Sequence, residues 1–201
     1  IGDVCERHDL WIICDEVYAD MTYDAPFCSP FDRKQLRHRT LAVSSISKSH
    51  ALPGFRAGWV ACPAAVTPRL VLVAEAMLFG SQPFIEDALV VALTEQHDEV
   101  QRMRVAYRER AQVLVEAING SDAVSARMPE GGMFVMVDVR ATKLSGEEFA
   151  WKLLDDHNIG VMPGESFGLG GAGHIRIALT VDASVLRKAC ETIRTMAEAL
   201  V

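Results

Sequence analysis

The sequence lacks the residue patterns of several common classes of protein. It has no apolar run close to the length of about eighteen residues that a membrane-spanning helix needs. Its five cysteines contain no CxxC pair, and its six histidines form no HxH or HxxxH pattern, which argues against a metal site. Widely spaced cysteines are typical of free thiols in a reducing compartment, so we expect a cytoplasmic protein.

Positive charge is also scarce. The chain carries 20 lysines and arginines against 27 aspartates and glutamates, which gives a net charge of −7. Its basic residues are scattered apart from a short run at 33–39. A nucleic-acid-binding surface needs a concentrated basic patch to neutralise phosphates. We therefore expect neither a nucleic-acid partner nor a membrane partner.

The beginning of the sequence has neither a methionine nor a helix-capping residue. Its first ten residues, IGDVCERHDL, are typical of the end of an amphipathic helix, with Ile1, Val4 and Cys5 on one face. No secretory signal is visible there. A helix that has an end but no capped beginning predicts a fragment of a longer protein.

The remaining sequence has the apolar patterning of an α/β protein. Short apolar runs predict strands, the first of them buried and parallel, at 10–18, 40–47, 57–62, 131–139 and 173–180. Helical spacing and capping residues predict helices at 68–79, 84–94, 97–119, 145–157 and after Asp182. These elements predict two α/β units joined by the long helix over 97–119.

The segment SSISKSHALPGFRAGW (44–59) places a lysine among serines at the end of a predicted strand. Ser45 lies three residues before Lys48, and Arg56 lies eight residues after it. A hydroxyl and a guanidinium directed at one point can bind a phosphate, because arginine offers a planar fork of donors. Gly54 and Gly58 would allow the backbone to approach closely. A lysine beside a phosphate site predicts pyridoxal 5'-phosphate, whose aldehyde forms a Schiff base with a lysine amine.

An earlier segment, CDEVY (14–18), contains the acid that this cofactor requires. The pyridinium nitrogen stays protonated when a buried carboxylate faces it, and Asp15 follows a predicted buried strand. Tyr18, three residues later, can donate to the phenolic oxygen of the cofactor. Ligands gather at the carboxyl ends of strands in open α/β sheets, which is where we expect both Asp15 and Lys48.

These motifs resemble those of the class I and II aminotransferases, which are pyridoxal-phosphate enzymes of fold type I. The D-x-x-Y pair and the S-x-x-K-x7-R spacing both match, as do GGMFVMVD, PGESFG and GHIRIAL, so the resemblance covers nearly the whole chain. It implies part of a three-layer α/β/α domain with a mostly parallel sheet, which binds the cofactor, over 1–105, followed by a smaller α+β domain over 106–201. It implies that Lys48 is the Schiff-base lysine and proton shuttle. It also implies that Asp15 pairs with the ring nitrogen and Tyr18 with the phenolic oxygen, while Ser45 and Arg56 bind the phosphate.

The same resemblance implies a reaction and a substrate contact. Arg176, in GHIRIAL, matches the arginine that binds the substrate α-carboxylate; without the resemblance, it would be interpreted as a solvent-facing residue on an edge strand. The implied reaction moves an amino group from an amino acid to a 2-oxo acid by a ping-pong mechanism, in a homodimer whose sites form across the interface. The sequence is most similar to arginine:pyruvate transaminases, and aspartate-type enzymes are also similar.

Several assignments stay open. Another enzyme of the same fold (a β-lyase, racemase or decarboxylase) or the effector-binding domain of a transcription regulator would carry the same lysine. Phe134 and Phe167 either line the substrate pocket or pack in the core. His50 is interpreted as structural, because Lys48 already serves as the base, and Ser81 is a candidate contact to the cofactor phosphate of a partner subunit. The resemblance also implies that an N-terminal part, with an aromatic residue that stacks on the ring, lies outside this chain.

Overall fold

The strands of the first half are shorter than the apolar runs that predict them. In the computed structural model, which describes residues 1–95 and 98–201, they are β1 (Ile12–Asp15), β2 (Thr40–Ser45) and β3 (Gly58–Ala61). The strand order is β1-β2-β3, with β1 parallel to β2 and β3 antiparallel to β2. Because β1 and β2 run in the same direction, their carboxyl ends reach the same edge of the sheet.

The helices of the first half include those that the apolar spacing predicts and one that it does not. They are α1 (Gly2–Arg7), α2 (Ile46–Ser49), α3 (Thr67–Leu78) and α4 (Pro83–Thr94). The predicted strand over 40–47 is wrong for its last two residues, because the chain enters α2 at Ile46. Ser45 is the cap of that turn, and its Oγ accepts a hydrogen bond of 3.3 Å from the backbone N–H of Ser47.

A buried cluster joins α2, β3 and α4. Ile46, Ala57 and Ala92 form its centre, and four partly buried side chains pack against them: Leu52, Trp59, Ile85 and Leu89. Ile46 is completely buried. Burying one isoleucine side chain contributes roughly 1.5–3 kcal/mol, so this cluster holds the short α2 helix firmly against its neighbours.

One face of the first sheet is open to solvent. Ile13 is 74% exposed and Val60 is 43% exposed. The strand register pairs Ile13 with Leu41 and Asp15 with Val43, so all of these side chains lie on the same face. Sheets with parallel strands are usually covered on both faces, which makes this exposed apolar surface unusual.

The second half of the chain forms a separate antiparallel sheet. Its strands are β4 (Ser125–Ala126), β5 (Phe134–Asp138), β6 (Met162–Pro163) and β7 (His174–Ala178), in the order β4-β5-β7-β6. Both neighbours of β7 are antiparallel to it. β7 is therefore an inner strand, and the interpretation of Arg176 as an edge-strand residue is wrong.

Three longer helices complete this half: α5 (Asp98–Ile118), α6 (Gly146–His157) and α7 (Ala183–Glu198). The predicted capping box of α6 is confirmed, because Ser145 Oγ accepts from the backbone N–H of Glu148 while the Glu148 carboxylate accepts from that of Ser145. Asp182 occupies the position before α7, but its side chain makes no capping hydrogen bond, so that part of the prediction is wrong.

The described residues divide into two compact units, Ile1–Arg102 and Met103–Val201. The assignment of residues 1–105 to a large cofactor-binding domain and 106–201 to a small domain stays a prediction. Within residues 1–95 and 98–201, no helix has both the length and the apolar character needed to span a bilayer. The same residues contain no group of three or more His, Cys, Asp and Glu side chains arranged to hold a metal ion.

Candidate functional site

The carboxyl edge of the first sheet carries the residues that the sequence singles out. Asp15 is the last residue of β1, Ser45 is the last residue of β2, and Lys48 follows within α2. Asp15 pairs in register with Val43, two residues before Ser45. The predicted placement of Asp15 and Lys48 at strand ends is therefore confirmed.

The turn that carries Lys48 is held tightly by its backbone. Ile46 and Ser49 are buried, whereas Lys48 is only half-buried on the other side of the turn. The Ala51 N–H donates to the Lys48 carbonyl at 3.2 Å, and the Leu52 N–H donates to the Ile46 carbonyl at 3.3 Å. The backbone of Lys48 is thus fixed, while its side chain keeps partial exposure to solvent.

His50 connects this turn to α4. Its Nε2 lies 2.9 Å from the backbone oxygen of Ala92, and its Nδ1 lies 2.8 Å from Ser49 Oγ. Because a carbonyl oxygen only accepts, Nε2 carries the hydrogen and Nδ1 of a neutral ring accepts the Ser49 hydroxyl. Both ring nitrogens are engaged with structural partners, which favours the structural interpretation of His50.

Arg56 ends the loop after Lys48 in an unusual backbone conformation. It is left-handed, with φ 53° and ψ 38°, and its Nη1 donates to the Pro53 carbonyl at 2.7 Å. Ala51, at the start of the loop, is also left-handed, with φ 53°. Two such non-glycine residues within six positions cost free energy, typically about 1–3 kcal/mol each, and such strain is concentrated at functional sites.

The glycine beside Arg56 allows β3 to approach β2 closely. A Cβ on Gly58 would lie 2.7 Å from the Ser44 carbonyl oxygen and 3.1 Å from the Cβ of Ser45. Gly58 pairs in register with Ser45, which brings the strand that follows Arg56 against the serine. By contrast, nothing lies within 4 Å of a Cβ built on Gly54. The predicted close approach of the backbone to a phosphate at these two glycines stays a prediction.

Asp15 and Tyr18 begin the turn after β1. The Asp15 Oδ1 accepts a hydrogen bond of 3.1 Å from the Val17 N–H. Tyr18 is half-buried, and its carbonyl accepts from the N–H of the buried Met21, which closes a single 3-10 turn. Asp15 itself is exposed, because it shares the open face of the sheet with Ile13. The expectation of a buried carboxylate is therefore wrong for this chain.

The segment between Asp15 and Tyr18 is anchored by a residue that the sequence does not single out. The Glu16 N–H donates to the Val43 carbonyl at 2.7 Å, and its Oε1 accepts from Ser29 Oγ at 2.6 Å. The pKa of the neighbouring Cys14 thiol is raised, mainly by its partial burial and next by Glu16. Glu16 therefore fixes the direction in which the chain leaves β1.

In the second unit, Arg176 lies between two aromatic rings. Its guanidinium carbon is 4.0 Å from the centre of the Phe134 ring and 4.1 Å from the centre of the Phe167 ring. Each cation–π contact of this kind contributes about 0.5–2 kcal/mol, depending on desolvation. The two phenylalanines, which the sequence leaves open between pocket and core roles, thus hold the plane of the guanidinium.

One donor group of Arg176 makes no hydrogen bond to the described residues. Its Nε is buried and has no hydrogen-bond partner among the described residues. In the strand register Arg176 pairs with Met136 on one side and Met162 on the other, neither of which has a charged side chain. A guanidinium with a fixed plane and an unused N–H can bind a carboxylate through two parallel hydrogen bonds.

The remaining predicted positions are distributed between the two units. Ser81 is exposed in the segment between α3 and α4. The candidate cofactor residues all lie in the first unit, and Arg176 lies in the second.

The model of the family described as aminotransferase class I and II matches residues 1–193. The chain belongs to this family. The chain is 44% identical over 200 residues to arginine–pyruvate transaminase AruH of Pseudomonas aeruginosa. The match covers 100% of this chain and 51% of that protein. The chain is 26% identical to an aspartate aminotransferase of Pyrococcus horikoshii, covering 98% of this chain and 51% of that one.

Solved structures of family members have the same fold. An aromatic aminotransferase from Pyrococcus horikoshii superimposes with a TM-score of 0.95 at 29% identity, over 100% of this chain and 55% of that one. An aspartate aminotransferase from Rhizobium meliloti superimposes with a TM-score of 0.91 at 25% identity, over 98% and 52% of the two chains. The predicted fold type I architecture is confirmed, and the chain spans about half the length of the relatives it matches.

Proposed function

We propose that the protein to which this chain belongs is a pyridoxal-phosphate-dependent aminotransferase. It moves an amino group from an amino acid to a 2-oxo acid in two half-reactions of a ping-pong cycle. One observation carries the proposal: in a chain of this family, Lys48 extends from a buried, hydrogen-bonded turn at the same sheet edge as Asp15 and Ser45.

The residues at this edge fit the cofactor. The half-buried Lys48 would supply the amine for the bond to the aldehyde, and Ser45 with Arg56 would supply a hydroxyl and a guanidinium for the phosphate. Asp15 would hold the proton on the ring nitrogen, and Tyr18 would donate to the phenolic oxygen. The bound cofactor supplies an aldehyde that condenses with amines and a ring that withdraws electrons.

The catalytic role of Lys48 follows from its position. Once the substrate amine has taken its place on the cofactor, the free Lys48 amine would be the base that takes the proton from the substrate Cα, and it would then deliver that proton to the carbon of the former cofactor aldehyde. The rigid turn limits the volume in which the amine moves, which raises the fraction of time it spends within reach of Cα.

Arg176 would bind the α-carboxylate of the amino acid. The support for this role is its position between Phe134 and Phe167, which fixes the guanidinium plane before a ligand arrives. A donor fork that is already oriented loses less conformational entropy when it binds, so the contact favours the substrate more strongly. The fork also orients the Cα–H bond of the substrate by holding one end of the molecule.

For the substrates, we infer arginine and pyruvate, with an aspartate-type reaction as the second candidate. The support is the 44% identity to arginine–pyruvate transaminase AruH, compared with 26% identity to an aspartate aminotransferase of Pyrococcus horikoshii. A homodimeric assembly and a cytoplasmic location complete the proposal.

Chemical trapping tests the proposal directly. The complete enzyme with bound cofactor is reduced with borohydride, digested and mapped by mass spectrometry; we expect the cofactor mass on the peptide that contains Lys48. Lys48→Ala should lose both the label and turnover, whereas Lys34→Ala, which removes an exposed lysine of the same unit, should retain both. Normal turnover by Lys48→Ala would refute the assignment. Mixing the enzyme with single amino acids, without an oxo acid, then identifies the donor from the change in cofactor absorbance.

A further inference from the structure

Glu165 links three segments of the second unit. It lies in the 3-10 turn Gly164–Phe167, and its Oε1 accepts two backbone hydrogen bonds, from Gly146 at 2.8 Å and from Gly173 at 2.9 Å. Gly146 is the first residue of α6, and Gly173 immediately precedes β7. One carboxylate oxygen therefore joins the turn that carries Phe167 to the strand that carries Arg176.

Close backbone packing surrounds this carboxylate. A Cβ on Gly164 would lie 2.1 Å from the Gly171 carbonyl oxygen, and a Cβ on Gly146 would lie 2.1 Å from the His174 carbonyl oxygen. A Cβ on Gly164 would also lie 2.7 Å from the His174 carbonyl oxygen, so the turn and the start of β7 are close enough that a larger residue does not fit at Gly164. The Glu165 carboxylate supplies acceptors for N–H groups that this packing turns inward.

The charge of Glu165 is stabilised where it lies. The hydrogen bond from the Gly173 backbone is the largest cause that lowers its pKa, and the N–H groups at the start of α6 add to the effect. Its Oε2 is buried and has no hydrogen-bond partner among the described residues. Burying an unpartnered carboxylate oxygen costs stability, so its presence suggests a positional role for the other oxygen.

The position of Phe167 depends on this turn. The Phe167 side chain is 49% exposed, and it contacts the Arg176 guanidinium without being enclosed by a core. Its placement therefore follows from the backbone two residues after Glu165. We propose that Glu165 is a positioning residue that holds Phe167 against Arg176 and thereby sets the affinity of Arg176 for the substrate carboxylate. The proposal rests on the carboxylate-binding role of Arg176 under the proposed function.

Steady-state kinetics of the complete enzyme test this role with three variants. Glu165→Ala removes the acceptor, Glu165→Gln retains an amide oxygen that can accept both bonds, and Glu147→Ala removes an exposed carboxylate from the first turn of α6. We expect Glu165→Ala to raise KM for the amino acid about tenfold while kcat stays within about twofold. Glu165→Gln should restore most of the affinity, and Glu147→Ala should match the wild type. An unchanged KM in Glu165→Ala, or a fall in kcat alone, would overturn the proposal.

A second pair of measurements separates this proposal from the function on which it rests. Hydrogen exchange of the backbone amides in 164–173 should accelerate in Glu165→Ala and return toward wild-type rates in Glu165→Gln. In an Arg176→Lys background, Glu165→Ala should raise KM no further, because it acts through the arginine. If Arg176→Lys raises KM and Glu165→Ala does not, the positioning role alone is wrong. If Arg176→Lys leaves KM unchanged, the carboxylate-binding role is wrong and the positioning role fails with it.

Discussion

His50 Nε2 donates to the backbone oxygen of Ala92 across 2.9 Å, which attaches the turn bearing Lys48 to the last part of α4. The other ring nitrogen, Nδ1, lies 2.8 Å from the hydroxyl oxygen of Ser49, the neighbour of Lys48. The buried cluster around Ile46 and Ala92 packs beneath these bonds. The base of the lysine is thus fixed by packing and by a hydrogen-bonded side chain together.

Replacing His50 should therefore lower the free energy of unfolding while affecting the catalytic reaction less. His50→Ala removes the side-chain donor to the Ala92 carbonyl, and a buried group that loses its partner costs about 1–3 kcal/mol, while the Ser49 hydroxyl can still donate to the Ser45 carbonyl. Urea unfolding should show this loss of free energy of unfolding, while borohydride still labels Lys48. His8→Ala, at an exposed histidine, is the control and should unfold like the wild type. A hundredfold loss of kcat with unchanged stability would instead mark His50 as part of the chemistry.

Gly58 and Gly54 offer a matched pair of substitutions beside Arg56. Gly58→Ala puts a Cβ 2.7 Å from the Ser44 carbonyl oxygen, so β3 or Ser45 must shift, at a cost of roughly 1–3 kcal/mol. We expect weaker cofactor binding, measured by titrating the apoenzyme and following absorbance. Gly54→Ala meets no atom within 4 Å and should bind cofactor normally. Equal affinities for the two variants would show that the position of Ser45 does not matter for the phosphate.

Arg176 should be required for binding of the amino acid. Truncating one partner of a buried, hydrogen-bonded charge pair costs about 2–5 kcal/mol, so Arg176→Ala should raise KM by at least about thirtyfold. Arg187→Ala, which removes an exposed arginine of α7, should leave KM unchanged. The measurement is the half-reaction rate as a function of amino acid concentration. If Arg176→Ala saturates at the same concentrations as the wild type, Arg176 does not bind the substrate carboxylate.

Local patterns predict the lysine site well because its residues are close in sequence. Ser45, Lys48 and Arg56 lie within twelve positions, and the strand end, the turn and the loop are all set by nearby serine, proline and glycine residues. The error of two residues in the end of β2 has the same local origin. An apolar residue, Ile46, continues the strand pattern although its side chain packs under a helical turn.

Contacts between distant segments are not visible in such patterns. Phe134 and Phe167 reach Arg176 only because β5 pairs with β7 in one register and a glycine-rich turn folds back over the sheet. Glu165 has no signal beyond its place in the motif PGESFG, since both of its donors come from other segments. The exposure of Asp15 depends on what covers the sheet, which the alternation of residues in β1 does not specify.

Asp138 should make the free energy of unfolding decrease as the pH falls into the acidic range. Its carboxylate accepts hydrogen bonds of 3.0 Å from Arg140 Nε and from the Arg140 backbone, and these bonds are the main causes that lower its pKa below the usual range of aspartate. A lowered pKa in the folded state stabilises the protein above the unfolded-state pKa. That contribution is lost as pH falls through the folded-state value. Because the Arg140 side chain is 68% exposed, we expect only about 0.5–1 kcal/mol at neutral pH.

Urea unfolding of Asp138→Asn against pH measures this contribution. The variant should be less stable than the wild type at pH 7, and the difference should shrink once the pH drops below about 4, where an unfolded aspartate takes up its proton. Asp122→Asn, at an exposed aspartate of the same unit, should show no such trend. A difference that stays constant from pH 7 to about pH 3 would mean that the charge of Asp138 does not contribute, since the asparagine amide does not titrate in this range whereas the carboxylate does.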